Sequence, residues 1–367
     1  MTERYLIDAY DLGVNDKGIH RVLASLVPRL HARTGSLVAV TTPAGADLLA
    51  AIGVDTVVVA RTRQSIWEQW GLPRIAGRLG CAATYSHREA GALWGPPLVL
   101  HVPEDPGVRW AREPAQDAVA HLRRAYSRAV MARSLRHASV VATSVPAVGR
   151  QLTGFSGVED IATIPLGVDL ELFTPATRPH EDAVFHLGSP DPRDGTTLVI
   201  EGYAVAAQRT ALPPLIIGGS LGDTVGPATT AAIDRLGLEP VVHLVGRLSD
   251  TDLASAYRDA LVVIQPASDE GFGLQPLEAL ASGAPLVVVD TPAVADVVGD
   301  AAMRVHPSVA AVADAVVAIA SAPDVRAGLR TGGPGRAAPY TWGRSADAVL
   351  ESLRRAAESA GQDRSKA

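Results

Sequence analysis

The stretch Ser268–Gly283, SDEGFGLQPLEALASG, decides how the rest of the chain is read. It lies between two apolar runs, Leu261 to Ala267 and Pro285 to Asp290, whose length and composition suit buried parallel strands. Between them stand a glycine-bracketed aromatic, Gly271-Phe272-Gly273, and a short helical pattern beginning at Leu274. Pro276 falls where the first turn of a helix tolerates proline, Gly283 where a glycine stops one, and Pro285 prevents continuation. The reading is strand, tight loop, helix, strand. Two carboxylates, Glu270 and Glu278, flank the loop with seven residues between them.

Such a loop suits a phosphorylated, polyhydroxylated ligand. Unhindered backbone N–H groups at Gly271 and Gly273, leading into a helix N-terminus, fit phosphate or sugar oxygens. A carboxylate on the helix can accept both hydroxyls of a ribose, and one at the strand end faces whatever lies beyond the phosphates. A plain strand–helix–strand crossover carrying two surface glutamates fits the same residues.

The segment E-G-F-G-L-x-P-L-E-A-x-A-x-G resembles the hallmark of the retaining glycosyltransferases called family 4, with both glutamates at the family spacing. The resemblance implies the GT-B fold: two Rossmann-like α/β domains with parallel sheets facing an interdomain cleft, and a C-terminal helix crossing back to the first domain. It also implies that Glu270 and the backbone of Phe272 to Leu274 hold the donor sugar, and that Glu278 holds the ribose.

Length and composition agree with this class. At 367 residues the chain suits two domains, and a hydrophobic content of 47% supplies their cores. A net charge of −6 argues against nucleic acid held by bulk electrostatics. Cys81 is the single cysteine, so neither an intramolecular disulfide nor a cysteine-based metal site is expected. No signal-peptide pattern opens the sequence and no apolar run reaches the roughly 18 residues of a membrane span, so a cytoplasmic protein is expected. Of the 33 basic residues only Lys17 and Lys366 are lysines, so fixed positive charge at a site should come from arginine.

In chain order, the strand Tyr5 to Ala9 leads through the loop Tyr10 to Lys17 to a helix opening at Gly18-Ile19-His20-Arg21. No G-x-G-x-x-G is present, which disfavours a dinucleotide oxidoreductase. The resemblance makes Gly18 and Arg21 candidates for the donor phosphates, with ordinary loop and helix-surface roles as the alternative. Further strands are expected at Leu37 to Thr41, Thr56 to Val59, Ala82 to Tyr85, Leu98 to His101 and Val140 to Thr143. Their alternation with helical patterns predicts a parallel sheet, whose ligands bind at the carboxyl ends of its strands. His101 ends one strand and His87 follows another.

Ile66 to Pro73, IWEQWGLP, is similar to the W-E-Q-x-x-L-P of a mannosyl- and rhamnosyltransferase-like branch. That branch usually has His-Asp where this chain has His101-Val102. The resemblance gives His101 a contact to the donor sugar or its phosphate, and leaves His87 as an acceptor-side candidate; a histidine that merely finishes a strand is the competing reading. The basic segment His121 to His137 carries Arg123, Arg124, Arg128, Arg133 and Arg136, and is read as a solvated helix or as weak peripheral contact with an anionic membrane. Ile164 to Asp169, IPLGVD, is similar to the I-P-N-G-V-D at the family's exit from the first domain. The expected domains are residues 1–173, on the acceptor side, 174–340, binding the nucleotide-sugar, and the returning helix 341–367.

The second domain reads as strand Ala183 to Leu187, helix Thr197 to Gln208, strand Leu215 to Gly218, helix Ala228 to Leu236 and strand Val241 to Val245. Arg247 follows as a donor-site candidate, and Asp250-Thr251-Asp252 caps a helix better than it binds metal. The sharpest departure from the family is in the loop Gly188-Ser189-Pro190-Asp191-Pro192-Arg193-Asp194-Gly195. Relatives place an arginine and a lysine here, in G-R-L-x-x-x-K-G, against the donor phosphates. Aligned on both glycines, Ser189 replaces the arginine and Asp194 the lysine, and Arg193 is the nearest substitute cation.

The function implied is metal-independent transfer of a hexose or deoxyhexose from a UDP-, GDP- or dTDP-sugar to the hydroxyl of a glycan, lipid-linked or small-molecule acceptor, with no cofactor. Catalytic candidates are Glu270, His101 and Arg193, while Glu278, Gly271, Phe272, Gly273, Leu274, Gly188, Ser189, Gly18, Arg21 and Arg247 bind the donor. The competing reading is a nucleotide-sugar-binding or partner subunit impaired in turnover.

Overall fold

The computed structural model describes residues 3–14, 18–104, 117–268 and 270–366. Residues 15–17, at the end of the expected first loop and including Lys17, and Asp269 lie outside the described residues.

The chain divides into two compact units, Met1–Gly167 with Trp342–Ala367, and Val168–Thr341. In the first, seven strands form one parallel sheet in the order β3-β2-β1-β4-β5-β6-β7. These are β1 Tyr5–Asp8, β2 Leu37–Thr41, β3 Asp55–Val58, β4 Ala83–His87, β5 Leu98–Val102, β6 Val140–Thr143 and β7 Ile161–Thr163. The inner strands are buried on both faces; β2, β5 and β6 accordingly read as largely apolar runs, while β1 ends in Asp8 and β4 carries Thr84, Ser86 and His87. Helix α1, Gly18–Thr34, and the C-terminal helix Trp342–Lys366 pack together on this unit. Leu23, Leu26 and Leu30 of α1 share a core with Val349 and Leu353 of the terminal helix, which is therefore part of the first unit.

The second unit has six parallel strands in the order β10-β9-β8-β11-β12-β13. They are β8 Ala183–Leu187, β9 Leu215–Gly218, β10 Val242–Gly246, β11 Ala260–Gln265, β12 Leu286–Val289 and β13 Met303–Val305. The apolar runs bracketing the opening stretch are β11 and β12, neighbours in register. Arg330 ties together the amino ends of inner strands, its guanidinium donating to the carbonyls of Ala260, at the start of β11, and Gly283, before β12, and pairing with Glu181, before β8.

In each sheet the strand order reverses once, between β1 and β4 in the first and between β8 and β11 in the second. Carboxyl ends of strands diverge at such a switch point, leaving a crevice where doubly wound sheets bind ligands.

Candidate donor and acceptor sites

The switch point of the second unit is built by the loops after β8 and β11. The hydrogen bond from the Ser268 N–H to the Arg193 carbonyl, 3.1 Å, ties them together. After β11 the chain passes Glu270, half-buried, and Gly271, and inserts Phe272 into the unit, where it meets Tyr340 edge to face at 5.8 Å. Gly273 has φ +87°, in the left-handed region that glycine occupies without strain. This turn starts the helix Leu274–Ala281, which carries the buried Glu278 and ends at Ser282 and left-handed Gly283. Glu270 and Glu278 thus stand before and on one short helix at the carboxyl end of the central strand.

The loop after β8 begins at Gly188, whose N–H donates to the Gly218 carbonyl. A β-carbon at Gly188 would lie 2.7 Å from Leu221 and 3.0 Å from the Thr196 hydroxyl, so only glycine fits without displacement. His186, fully buried on β8, has Nδ1 2.8 Å from the Ile264 carbonyl and Nε2 3.1 Å from Thr196 Oγ1. A carbonyl only accepts, so Nδ1 carries the proton and Nε2 accepts from Thr196. Burial depresses this imidazole to about 4, keeping it neutral. It thereby pins the first turn of the helix Thr196–Ala207 beside the loop.

Arg193, Ser189 and Asp194 occupy this loop, and each has a partner within it. Arg193 Nε donates to both oxygens of Asp191 at 2.9 Å, and Nη2 reaches Oδ2 at 2.5 Å. Ser189 accepts from the Asp191 N–H and is hydrogen-bonded to the Asp194 carboxyl. Burial pushes that carboxyl up, Asp191 adds to the rise, and the Ser189 hydrogen bond opposes it. Arg247 is exposed, just past the end of β10. Asp250 and Asp252 lie in the first turn of the helix Asp250–Asp259, capped by Ser249, whose hydroxyl accepts from the Asp252 N–H. Among the described residues, no three His, Cys, Asp or Glu side chains gather where they could hold a metal ion.

At the switch point of the first unit, Asp8 ends β1 and receives four donors. They are Arg88 Nε at 2.6 Å, Ser86 Oγ at 3.0 Å, Trp67 Nε1 at 3.1 Å and the Tyr10 N–H at 3.2 Å. Arg88 also reaches Asp11 at 3.0 Å. Burial opposes its charge, but Asp8 and Asp11 outweigh that and hold the guanidinium above its ordinary value. Trp67 comes from a π-helical turn, Trp67–Gly71, and stacks on Tyr10 at 4.6 Å. The W-E-Q segment therefore contributes its first tryptophan to the floor of this cluster.

Next to it, His101 is fully buried, with Nδ1 2.8 Å from the Tyr85 hydroxyl and Nε2 2.9 Å from Ser144. Its ring lies 4.3 Å from that of His87, and the Arg88 N–H donates to the His101 carbonyl. Burial, then the charge of Arg88, lowers His87 to about 3; burial, then His87, lowers His101 well below its usual range. Both imidazoles are neutral and His101 faces other side chains at both nitrogens. Gly18 and Arg21 stand at the start of α1, exposed and half-buried respectively.

Sequence reasoning placed His87 and His101 at strand ends but missed Asp8, Asp11 and Arg88. Asp8 was legible as the charged residue within the otherwise apolar run Tyr5 to Ala9, and Arg88 as the neighbour of His87. Their pairing spans 80 residues of sequence, and pattern alone does not join them.

Residues 174–333 match the family described as Glycosyl transferases group 1. The second unit is a glycosyltransferase group 1 domain. Among curated proteins, the chain is similar to the MMP alpha-(1->4)-mannosyltransferase of Mycolicibacterium hassiacum, 34% identical over 40% of this chain and 36% of that one. It is also similar to the D-inositol 3-phosphate glycosyltransferase of Nocardiopsis dassonvillei, 32% identical over 56% of this chain and 53% of the relative. The chain spans about a third to a half of the length of these relatives. Among solved structures it resembles Anabaena Alr3699/HepE in complex with UDP and glucose, with TM-score 0.75 and 17% identity over 96% of this chain and 99% of that one. Sucrose-phosphate synthase from Thermosynechococcus elongatus matches equally well, with TM-score 0.75 over 96% of this chain and 98% of that one. These likenesses show the fold: two Rossmann-like domains with parallel sheets, of the GT-B kind, the glycosyltransferase group 1 domain being the second. No helix among the described residues is long and apolar enough to cross a membrane.

Proposed function

We propose that this chain is a retaining glycosyltransferase that moves a hexose or deoxyhexose from a nucleoside-diphosphate sugar to an acceptor hydroxyl, without a metal. One observation carries the reading. Glu270 and Glu278, at the family spacing, stand before and on a helix entered through left-handed Gly273, at the switch point of a glycosyltransferase group 1 domain. Glu278 takes the ribose hydroxyls, and Glu270 with the backbone of Phe272 to Leu274 takes the sugar. The acceptor oxygen attacks the anomeric carbon on the face the phosphate leaves. The bond from that carbon to the phosphate oxygen breaks, and the departing phosphate takes the hydroxyl proton. The strand-end cluster of the first unit, Asp8, His87 and Arg88, serves the acceptor. The relatives' printed names, a mannosyltransferase and a glycosyltransferase of an inositol phosphate, support hexosyl transfer.

The loop pairs Arg193–Asp191 and Ser189–Asp194 favour a second reading, a donor-binding protein impaired in turnover. Both readings give binding of a UDP-, GDP- or dTDP-sugar. Only the first gives nucleoside-diphosphate release with an acceptor, undiminished by EDTA. Donor binding without release under any acceptor tried selects the second reading, and release that EDTA abolishes and magnesium restores overturns the metal-independent one.

A further inference from the structure

The helix Ala118–His137 is packed over only part of its length. Met131, Ser134 and Leu135 are buried, whereas no residue from Ala118 to Val130 is. Val119, Leu122 and Tyr126 are exposed by 63%, 72% and 66%, more than any other large hydrophobic side chain among the described residues. They open a row spaced by three and four residues, Val119, Leu122, Tyr126, Ala129, Arg133 and Arg136, which lies on one face of a helix and is exposed at every member. Arg123 stands beside the row, and the helix carries five arginines and no acidic residue, in a chain whose net charge is −6.

A second exposed aromatic group is tied to the same helix. The Gly91 carbonyl accepts from Ser134 Oγ at 2.8 Å and from Gln69 Nε2 at 2.7 Å, and the Gln69 carbonyl accepts from Trp94 Nε1 at 2.7 Å. Trp94 lies 5.8 Å from Trp70, and the Arg74 guanidinium stands 5.1 Å from the Trp70 ring. All three side chains are exposed. Exposed apolar side chains gathered in this way mark a surface for another molecule.

The order of residues along the row selects the occupant. Antiparallel contact with a second copy sets Arg133 and Arg136 against Leu122 and Val119, burying charge without a partner, and parallel contact sets arginine against arginine. An anionic bilayer meets both halves at once. Its acyl boundary receives apolar side chains, and its phosphates, within one side-chain length of that boundary, receive guanidinium groups. Tryptophan beside arginine is the composition that settles at such an interface.

We propose that the outward row of the helix Ala118–His137 docks on an anionic phospholipid surface, with Val119, Leu122 and Tyr126 entering the head-group region and Arg123, Arg133 and Arg136 meeting lipid phosphates. The proposal does not depend on the activity assigned above. Flotation of the full chain with phosphatidylcholine vesicles, with and without phosphatidylglycerol, tests it. Binding to the mixed vesicles is expected to exceed binding to phosphatidylcholine alone and to weaken with added salt. Arg133→Gln and Arg136→Gln each weaken it about fivefold, the worth of one arginine at such a surface. Leu122→Glu, which removes an apolar contact and adds repulsion, weakens it at least about tenfold, with the fold checked by circular dichroism. No binding to the mixed vesicles, equal binding to both compositions, or binding indifferent to Leu122→Glu overturns the proposal. A vesicle-free dimer in sedimentation that Leu122→Glu dissolves overturns it as well, in favour of a second copy.

Discussion

Arg193 grips Asp191 with its guanidinium, Nε lying 2.9 Å from both carboxylate oxygens. This arginine is the nearest cation in the loop where relatives of the glycosyltransferase resemblance hold the donor phosphates, and its charge is already matched by a neighbour two residues away. The pair is about a third exposed, so solvent weakens the attraction and a diphosphate with two negative charges can compete for it. Arg193→Ala is expected to lower donor affinity by about tenfold to a hundredfold, the worth of one to two charge-assisted contacts. Asp191→Asn is expected to raise it. Titration calorimetry with the nucleoside diphosphate measures both, and an unchanged affinity for Arg193→Ala would remove the residue from the site.

Aligned on Gly188 and Gly195 with the family motif that this loop resembles, Asp194 takes the place of a lysine, and its carboxyl is raised by burial and held by Ser189. A carboxylate there opposes the phosphates. Asp194→Asn keeps the shape and the hydrogen bond and removes the charge, so donor affinity should rise by about tenfold, the effect of one like charge withdrawn across a few ångströms. If affinity falls instead, the Asp194 carboxylate contributes to binding and the alignment on Gly188 and Gly195 places it wrongly.

Glu278 is buried on the helix Leu274–Ala281, and its proposed role is to accept from the ribose hydroxyls. Two charge-assisted hydrogen bonds lost together cost about 3 kcal/mol or more, so Glu278→Gln should weaken nucleoside-diphosphate binding at least a hundredfold. A 2′,3′-dideoxynucleotide should bind the native protein and Glu278→Gln alike. Equal losses with both nucleotides would mean that the substitution disturbs the helix and not the ribose contact.

The opening stretch was legible because its punctuation is local. Gly273 and Gly283 mark left-handed residues, Pro276 and Pro285 mark where a helix begins and cannot resume, and the flanking strands are unbroken apolar runs. Several strands, Leu37–Thr41, Val140–Thr143, Ala183–Leu187 and Leu215–Gly218, fall where the pattern set them. β7 went unread because three residues show no period, and the helices Val309–Ser321 and Pro323–Ala337 because alanine- and valine-rich or glycine-rich sequence lacks a clear apolar stripe. The Arg193–Asp191 pair was hidden for another reason. The sequence presents an available cation, and only geometry shows which carboxylate holds it.

Asp8 and Arg88 form the buried ion pair at the switch point of the first sheet, each with a side chain under a tenth exposed. Breaking such a pair from one side leaves a charge uncompensated, at a cost of about 3 to 5 kcal/mol. Asp8→Ala should therefore lower the melting temperature of the chain clearly, whereas the double change Asp8→Leu with Arg88→Met should recover much of the loss. Thermal unfolding followed by circular dichroism distinguishes the two. Equal destabilisation by the single and double changes would show that the other donors to Asp8, Ser86 and Trp67, matter more than the charge of Arg88.

Buried neutral histidines make both units sensitive to acid. His87 and His186 fall from an ordinary 6.5 to about 3 and about 4 in the folded chain, and His101 is lowered as well, in each case chiefly by burial. Below pH 6.5 the unfolded chain takes up protons that the folded chain refuses until its own lower values are reached. Stability contributed by these groups is therefore complete above pH 6.5, and declines as the pH falls from there toward 4 for His186 and 3 for His87. At pH 5 the loss is on the order of 2 kcal/mol for His186 and likewise for His87. Two such histidines belong to the first unit and one to the second, so the first unit should unfold earlier as pH falls. Urea unfolding monitored through Trp67 and its neighbours at pH 7, 6 and 5 tests this, since all five tryptophans lie in the first unit. His186→Asn should flatten the pH dependence of the second unit alone. A stability profile of that unit unaltered by this change would show that its acid sensitivity comes from carboxylates and not from the imidazole beside Thr196.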